Sequence, residues 1–191
     1  MKATLVLPVA SKVNAPAAVP PWQHQDLSPV EEGLKQLLTS SQRAASLGSR
    51  LALSGGKRLR PRLCLLAYRH SSGNQSPSPR VYKLATAIEL LHLATLLHDD
   101  VIDNATRRRS EPSINVTHGN KTAVLLGDFF FSCFLEAAAG SSSDALSLLA
   151  GTIGSMVEGE LTQAHHRLNL GLTEKEYLDI IEVKYLLSSV Y

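Results

Sequence analysis

Residues 80–103 read RVYKLATAIELLHLATLLHDDVID, the longest periodic run of the chain, without Gly or Pro. The run predicts one long apolar helix ending in acids. Its polar residues are not scattered. Seven positions separate His92 from Asp99, within about 20° of two full turns, and Asp103 lies one turn further on. His92, Asp99 and Asp103 therefore share one stripe on a helix of Leu, Ala and Ile, and Glu89 continues it toward the N-terminus. A row of carboxylates beside apolar neighbours is costly unless cations neutralise it. The acids also occupy the C-terminal end of the helix, where the macrodipole disfavours negative charge. Divalent cations resolve both conflicts. Oxygen-only ligands point to Mg²⁺, with Mn²⁺ as the alternative, and so few carboxylates imply a shell shared with water and substrate phosphates.

On either side of this run the pattern stays helical. Ser28-Pro-Val-Glu31 has the form of a capping box and opens a helix expected to reach the mid-forties. Gly55-Gly56 breaks it. Arg58 to Tyr68 reads as the next helix, with Leu59, Leu63, Leu66 and Ala67 at helical spacing. Ser71 to Pro79 is a polar turn, and 104–117 is a polar loop. Helices are expected over 121–139 and from Asp144 to about Leu168. Thr173-Glu-Lys-Glu176 is a second capping box. No strand or hairpin signal competes, so the fold class is all-α, with 1–27 a flexible tail and 28–191 one domain.

Composition agrees. The formal charge is +2, hydrophobic residues make up 44% and aromatic ones 5%, so the core is aliphatic. The near-balance of charge excludes a general nucleic-acid binder. Cys64 and Cys133 read as buried thiols of a reducing compartment. No uninterrupted apolar stretch reaches about 18 residues, because Gly127 and Asp128 divide the most apolar one, so no transmembrane segment is expected. His165-His166 point about 100° apart on a helix and are left as surface residues.

Two basic clusters supply what a diphosphate needs. Arg107-Arg108-Arg109 follows the acids closely. In Gly55-Gly-Lys57-Arg-Leu-Arg60-Pro61, Lys57 and Arg60 stand at the opening of a helix. Arginine forks bind phosphate oxygens bidentately, lysine adds a compact charge, and paired glycines let the backbone approach.

GGKRLRP, the His-containing helix, DDVID, the arginine pair, Gly119-Asn120, LLGD at 125–128 and GELTQ at 159–163 occur in that order. The ordered set resembles the trans-isoprenyl diphosphate synthases, in particular the long-chain polyprenyl type, over roughly residues 28–191. The resemblance implies the N-terminal portion of an isoprenoid-synthase-like helical bundle, acting as a Mg²⁺-dependent prenyltransferase. It implies metal binding at Asp99, Asp100 and Asp103, with Asp99 and Asp103 the expected ligands. It gives Lys57, Arg60 and His92 to the diphosphate of isopentenyl diphosphate, Arg108 to the allylic diphosphate and Arg109 to the homoallylic substrate. Gln163 and Lys184 fall to the allylic diphosphate and nascent cation, so the catalytic set is Asp99, Asp100, Asp103, Arg108 and Lys184. Ala94 and Thr95, just before the aspartates, stand where the family gauges product length. Neither is bulky, which resembles medium- or long-chain synthases.

Three departures temper the resemblance. Ser110-Glu111 replaces the family's Gly-Lys and puts a negative charge beside phosphate-binding residues, and Lys184 is followed by Tyr185 rather than Thr. The family's second aspartate-rich motif has no counterpart before Tyr191, so the chain reads as truncated at the C-terminus. A homo- or heterodimer is expected, and a non-catalytic partner subunit of a complete synthase is the competing reading. A terpene cyclase relative is disfavoured by GGKRLRP, since cyclases need no isopentenyl diphosphate site. A cytoplasmic location is expected, or a mitochondrion or plastid if the tail is a transit peptide.

Overall fold

The fold comes from a computed structural model describing residues 26–53, 56–108, 111–166 and 171–181, the side chains of 49, 50, 52 and 53 excepted. Its centre is α4 (Pro79–Ile102), where every residue from Ala85 to Leu91 is buried. A helix apolar on all sides must be enclosed by others. Here α6 (Asn120–Ala139) is its principal partner, with α3 (Leu59–Ser71) and α1 (Ser28–Leu38) covering further sides. Val30, Leu34 and Leu38 of α1 recur at four-residue spacing and are fully buried. From α6, Leu126, Phe130, Cys133, Phe134 and Ala137 complete the core. By length and composition alone α6 could cross a membrane, yet this face of it is spent on the core.

The expected first helix is two helices. Thr39 Oγ1 donates to the Lys35 carbonyl at 2.8 Å and Ser40 Oγ to that of Leu37 at 2.7 Å. These bonds close α1, and α2 runs from Gln42 to Leu53. Local hydroxyl-to-backbone bonds of this kind compete with helix continuation. Ser28 does not cap α1. Its amide donates to Asp26 Oδ1 at 2.9 Å, and Glu31 is drawn away into an ion pair. In α3 the helix is as expected but its face is not: Leu59 and Leu63 are about half exposed, while Pro61 and Leu65 are buried.

The loop after α4 holds a small antiparallel ladder, β1 (Arg107–Arg108) with β2 (Glu111–Pro112), then a short helix α5 (Ile114–His118). No strand signal marks it, because two-residue strands are too short to show alternation. Helix α7 (Ser143–His165) begins at Ser142, whose Oγ accepts from the Ala145 amide. Ahead of α8 (Glu174–Ile181) the expected capping box is present: Thr173 N donates to Glu176 Oε2 at 2.8 Å, and the Glu176 amide reaches Thr173 Oγ1 at 3.3 Å. Gly55, Leu168, Lys184 and the tail up to residue 25 lie outside the described residues.

Candidate diphosphate and metal site

Two rows of polar side chains run along α4, and helical phase separates them. Glu89 and Asp100 are eleven residues apart, hence within about 20° in azimuth and about 16 Å apart along the axis. Both are buried, and each holds an arginine. His92, Asp99 and Asp103 lie about 40–80° around the helix from Glu89 and form the second row. His92 and Asp99 are half-buried and Asp103 is exposed. Glu89, placed by spacing with the second row, belongs by its contacts to the first.

At the N-terminal anchor, Glu89 Oε1 accepts from Arg58 Nη1 at 2.9 Å. The remaining edge of the Arg58 guanidinium grips Glu31 of α1, through Nε at 2.7 Å and Nη2 at 3.1 Å. Burial alone would lower the Arg58 pKa, but the bonds to Glu31 and Glu89 outweigh it and the net direction is up. Arg60 lies in the field of the same Glu89. Burial holds its guanidinium below the ordinary value and Glu89 partly opposes this. Lys57 is exposed and Arg60 half-buried. The GGKRLRP segment thus presents Lys57 and Arg60 while Arg58 turns inward.

At the C-terminal anchor, Asp100 accepts from Arg108 through Nε, at 3.1 Å, and through a close Nη2 contact. The same turn is fastened by Asn115, whose Nδ2 donates to the carbonyls of Asp100 and Ala105, each at 3.0 Å. Ser113 Oγ adds a bond to the Ala105 carbonyl at 2.7 Å. Register places Glu111 directly across from Arg108, so the acidic departure seen in the sequence does sit beside the phosphate-binding candidates.

The three aspartates do not converge. Asp100 turns to Arg108, leaving Asp99 and Asp103 on one face, one turn apart. Among the described residues no group of three or more His, Cys, Asp or Glu is arranged to hold a metal. The donor set nevertheless fits Mg²⁺ or Mn²⁺, which take one or two carboxylates and complete the shell with water and phosphate oxygens. No basic residue occupies the last turn of α4, so nothing within the helix offsets its dipole there.

His98, next to Asp99, was given no role by the sequence. Its Nε2 lies 3.3 Å from the Val124 carbonyl and 3.3 Å from Asp128 Oδ1. The ring fills the space above Gly127, where an added Cβ would stand 2.3 Å from Nε2. The LLGD segment is therefore a notch that receives the histidine. Ala94 is buried, and Thr95 Oγ1 turns back to the His92 carbonyl at 2.9 Å. Gln163 is exposed on α7. Arg109 and Lys184 lie outside the described residues.

Residues 42–188 match the family model for polyprenyl synthetase. The chain belongs to the polyprenyl synthetase family, the trans-isoprenyl diphosphate synthases. Among relatives of this family, the heptaprenyl diphosphate synthase component 2 of Geobacillus stearothermophilus is 37% identical over 163 residues, 83% of this chain and 49% of that protein. The heptaprenyl diphosphate synthase of Staphylococcus aureus superposes with a TM-score of 0.77 at 32% identity, over 85% of this chain and 51% of that one. A polyprenyl synthase of Caulobacter crescentus, solved with calcium and isoprenyl diphosphate, gives 0.72 at 35% identity, over 83% and 49%. The fold is thus an all-α, isoprenoid-synthase-like bundle, of which this chain supplies the N-terminal portion. It spans about half the length of the curated relatives it matches. Their names run from short-chain to nonaprenyl synthases, so the match shows the family and not a product length.

Proposed function

We propose that this chain carries the part of a prenyltransferase site that grips two diphosphates, and serves the head-to-tail condensation of isopentenyl diphosphate with an allylic prenyl diphosphate. The observation that carries this reading is the row His92, Asp99 and Asp103, flanked at its two ends by arginine clusters anchored on the same helix through Glu89 and Asp100. Asp99 and Asp103 would hold Mg²⁺, and bound there the ion would neutralise charge developing on the allylic diphosphate as it departs. Arg108, steadied by Asp100, serves the allylic diphosphate, while Lys57, Arg60, His92 and Arg109 serve isopentenyl diphosphate. The allylic C–O bond breaks with its electron pair leaving on the diphosphate. The isopentenyl double bond then attacks the cation, and loss of a proton restores an alkene. Orientation of the two substrates is the chain's main contribution. The small side chains of Ala94 and Thr95 favour a medium- or long-chain product. Gln163 and Lys184 are assigned to the allylic diphosphate and the nascent cation by family resemblance, and a homo- or heterodimer is the expected assembly.

A condensation assay with labelled isopentenyl diphosphate, geranylgeranyl diphosphate and Mg²⁺ tests the proposal, with Asp99→Ala as the control. Product from the chain that falls at least about 100-fold in the control is expected, since even outer-shell partners of metal ligands are worth about 10–100-fold. Product undiminished by Asp99→Ala would refute the role of the aspartates. One relative is named a component of a heptaprenyl diphosphate synthase, which favours a second reading, that of a subunit. Product formed only when a complete synthase is added would select it.

A further inference from the structure

Arg58 stands between the two residues that face the proposed isopentenyl diphosphate subsite, yet its side chain is 3% exposed and so cannot reach a substrate. Its backbone is left-handed, φ 46° and ψ 44°, at the residue that caps α3. That conformation is disfavoured for any residue with a Cβ, and persists only where the surroundings hold it. Among the holding contacts are the guanidinium bonds, two to Glu31 of α1 and one to Glu89 of α4. One side chain ties the loop to both helices in a planar fork that a lysine ammonium cannot reproduce.

Glu89 faces two arginines. It accepts a hydrogen bond from Arg58 and also lies in the electrostatic reach of Arg60. While Arg58 satisfies this carboxylate, the Arg60 guanidinium keeps donors for a ligand. Without Arg58, a buried carboxylate lacking its partner draws in the nearest cation, because an unpaired charge there is costly. Arg60 would then fold onto Glu89.

We infer that Arg58 is the positioning residue for Lys57 and Arg60, keeping both turned toward isopentenyl diphosphate by occupying Glu89 and Glu31. The inference rests on the role proposed above for that pair, and it concerns one subsite only. Arg108 and the aspartates have their own anchor at Asp100.

Calorimetric titration of the purified full chain, with Mg²⁺, separates the possibilities. The probes are isopentenyl diphosphate and, separately, farnesyl thiodiphosphate as an unreactive allylic ligand. Arg58→Lys keeps the charge and loses the fork. It is expected to weaken isopentenyl diphosphate binding by about tenfold or more, the scale of losing an outer-shell partner, and to leave the allylic probe unaffected. Arg58→Met is expected to do the same, and Arg58→Met with Glu89→Gln to recover much of the binding, because the neutral amide no longer captures Arg60. A merely structural loss from the unpaired Glu89 would also be eased by that change but would weaken both probes, so it is a loss confined to isopentenyl diphosphate, recovered in the double variant, that marks positioning. If Arg58→Met does not fold, Arg58→Lys and the half-exposed Glu31→Gln carry the test, the latter with a smaller loss in the same probe. Equal loss of both probes, or unchanged isopentenyl diphosphate binding in Arg58→Lys, overturns the inference. Lys57→Ala is the control for the subsite itself. If it binds like the unaltered chain, the assignment of the subsite fails first, and the role of Arg58 with it.

Discussion

Replacing Gly127 by alanine should destabilise this protein, and removing His98 should reverse the sign. Gly127 lies within α6, where alanine is intrinsically better than glycine by about 0.8–1 kcal/mol. That gain is opposed by the His98 ring, whose Nε2, Cδ2 and Cε1 would stand 2.3, 2.5 and 3.1 Å from the new methyl. The ring cannot stay. Its side chain is 34% exposed, so it can swing outward rather than force α4 from α6. In doing so it forfeits the polar contact of Nε2 with Val124, worth about 1 kcal/mol, and its packing in the notch. Residual overpacking adds to the cost, typically about 1–3 kcal/mol where a methyl is forced in. The net expectation is a loss of about 1–3 kcal/mol. In a His98→Ala background only helix propensity remains, so the same change should stabilise by up to about 1 kcal/mol. The coupling between the two positions is then about 2 kcal/mol or more, toward the upper end of the range for residues in contact. Urea unfolding of the four proteins measures it. Equal effects of Gly127→Ala in both backgrounds would refute the notch.

Asp100→Asn should destabilise by about 1.5 kcal/mol in the same assay, the low end for charge-assisted bonds because Arg108 is a third exposed. A loss of allylic diphosphate binding should accompany it, and unchanged affinity would mean that Arg108 needs no anchor. Burial pushes the Cys64 thiol up to about 11 and Cys133 in the same direction. At pH 8 the Cys64 thiolate is therefore scarcer than that of a free thiol by roughly two orders of magnitude. Iodoacetamide should modify it correspondingly slowly in the folded chain and at the free-thiol rate in urea. Of the two thiols expected to be buried only Cys133 is, Cys64 being half-buried, and fast modification of Cys64 without denaturant would contradict the raised thiol. Ser142→Ala removes the side-chain cap of α7 and should cost about 1 kcal/mol, seen as faster amide exchange in its first turn.

The helices were legible where the pattern was long. The continuous apolar run of α4, the helical span of α6 and the Thr173–Glu176 cap all carry local signals that the structure keeps. What failed locally was decided by contacts distant in sequence or by competing bonds. Ser28 to Glu31 spells a capping box, yet Glu31 is claimed by Arg58, twenty-seven residues away. Thr39 and Ser40 end α1 with hydroxyl bonds to the backbone, and nothing in the hydrophobic spacing marks the break. In α3 Leu59 and Leu63, at helical spacing, are half exposed, and Pro61 and Leu65 bury instead.

The candidate site divides along the same line. On α4 the spacing of His92, Asp99 and Asp103 placed them together, since helical phase is fixed by residue number alone. The same arithmetic, used further, places Glu89 with Asp100 rather than with the metal row, and contacts confirm that these two are the anchors. Adjacent aspartates thus have opposite duties because about 100° separates them: one faces outward, and its neighbour holds an arginine in place. The GGKRLRP segment offers no such guide. Lys57 and Arg58 precede α3 and Arg60 is only its second residue, so no helical period sorts them, and the left-handed backbone at Arg58 goes with the inward cation. Wherever a motif is rich in charge, some of that charge must be spent on holding the rest in position. On a helix the division can be read from phase, and in a loop it needs the carboxylates that complete it, here Glu31 and Glu89.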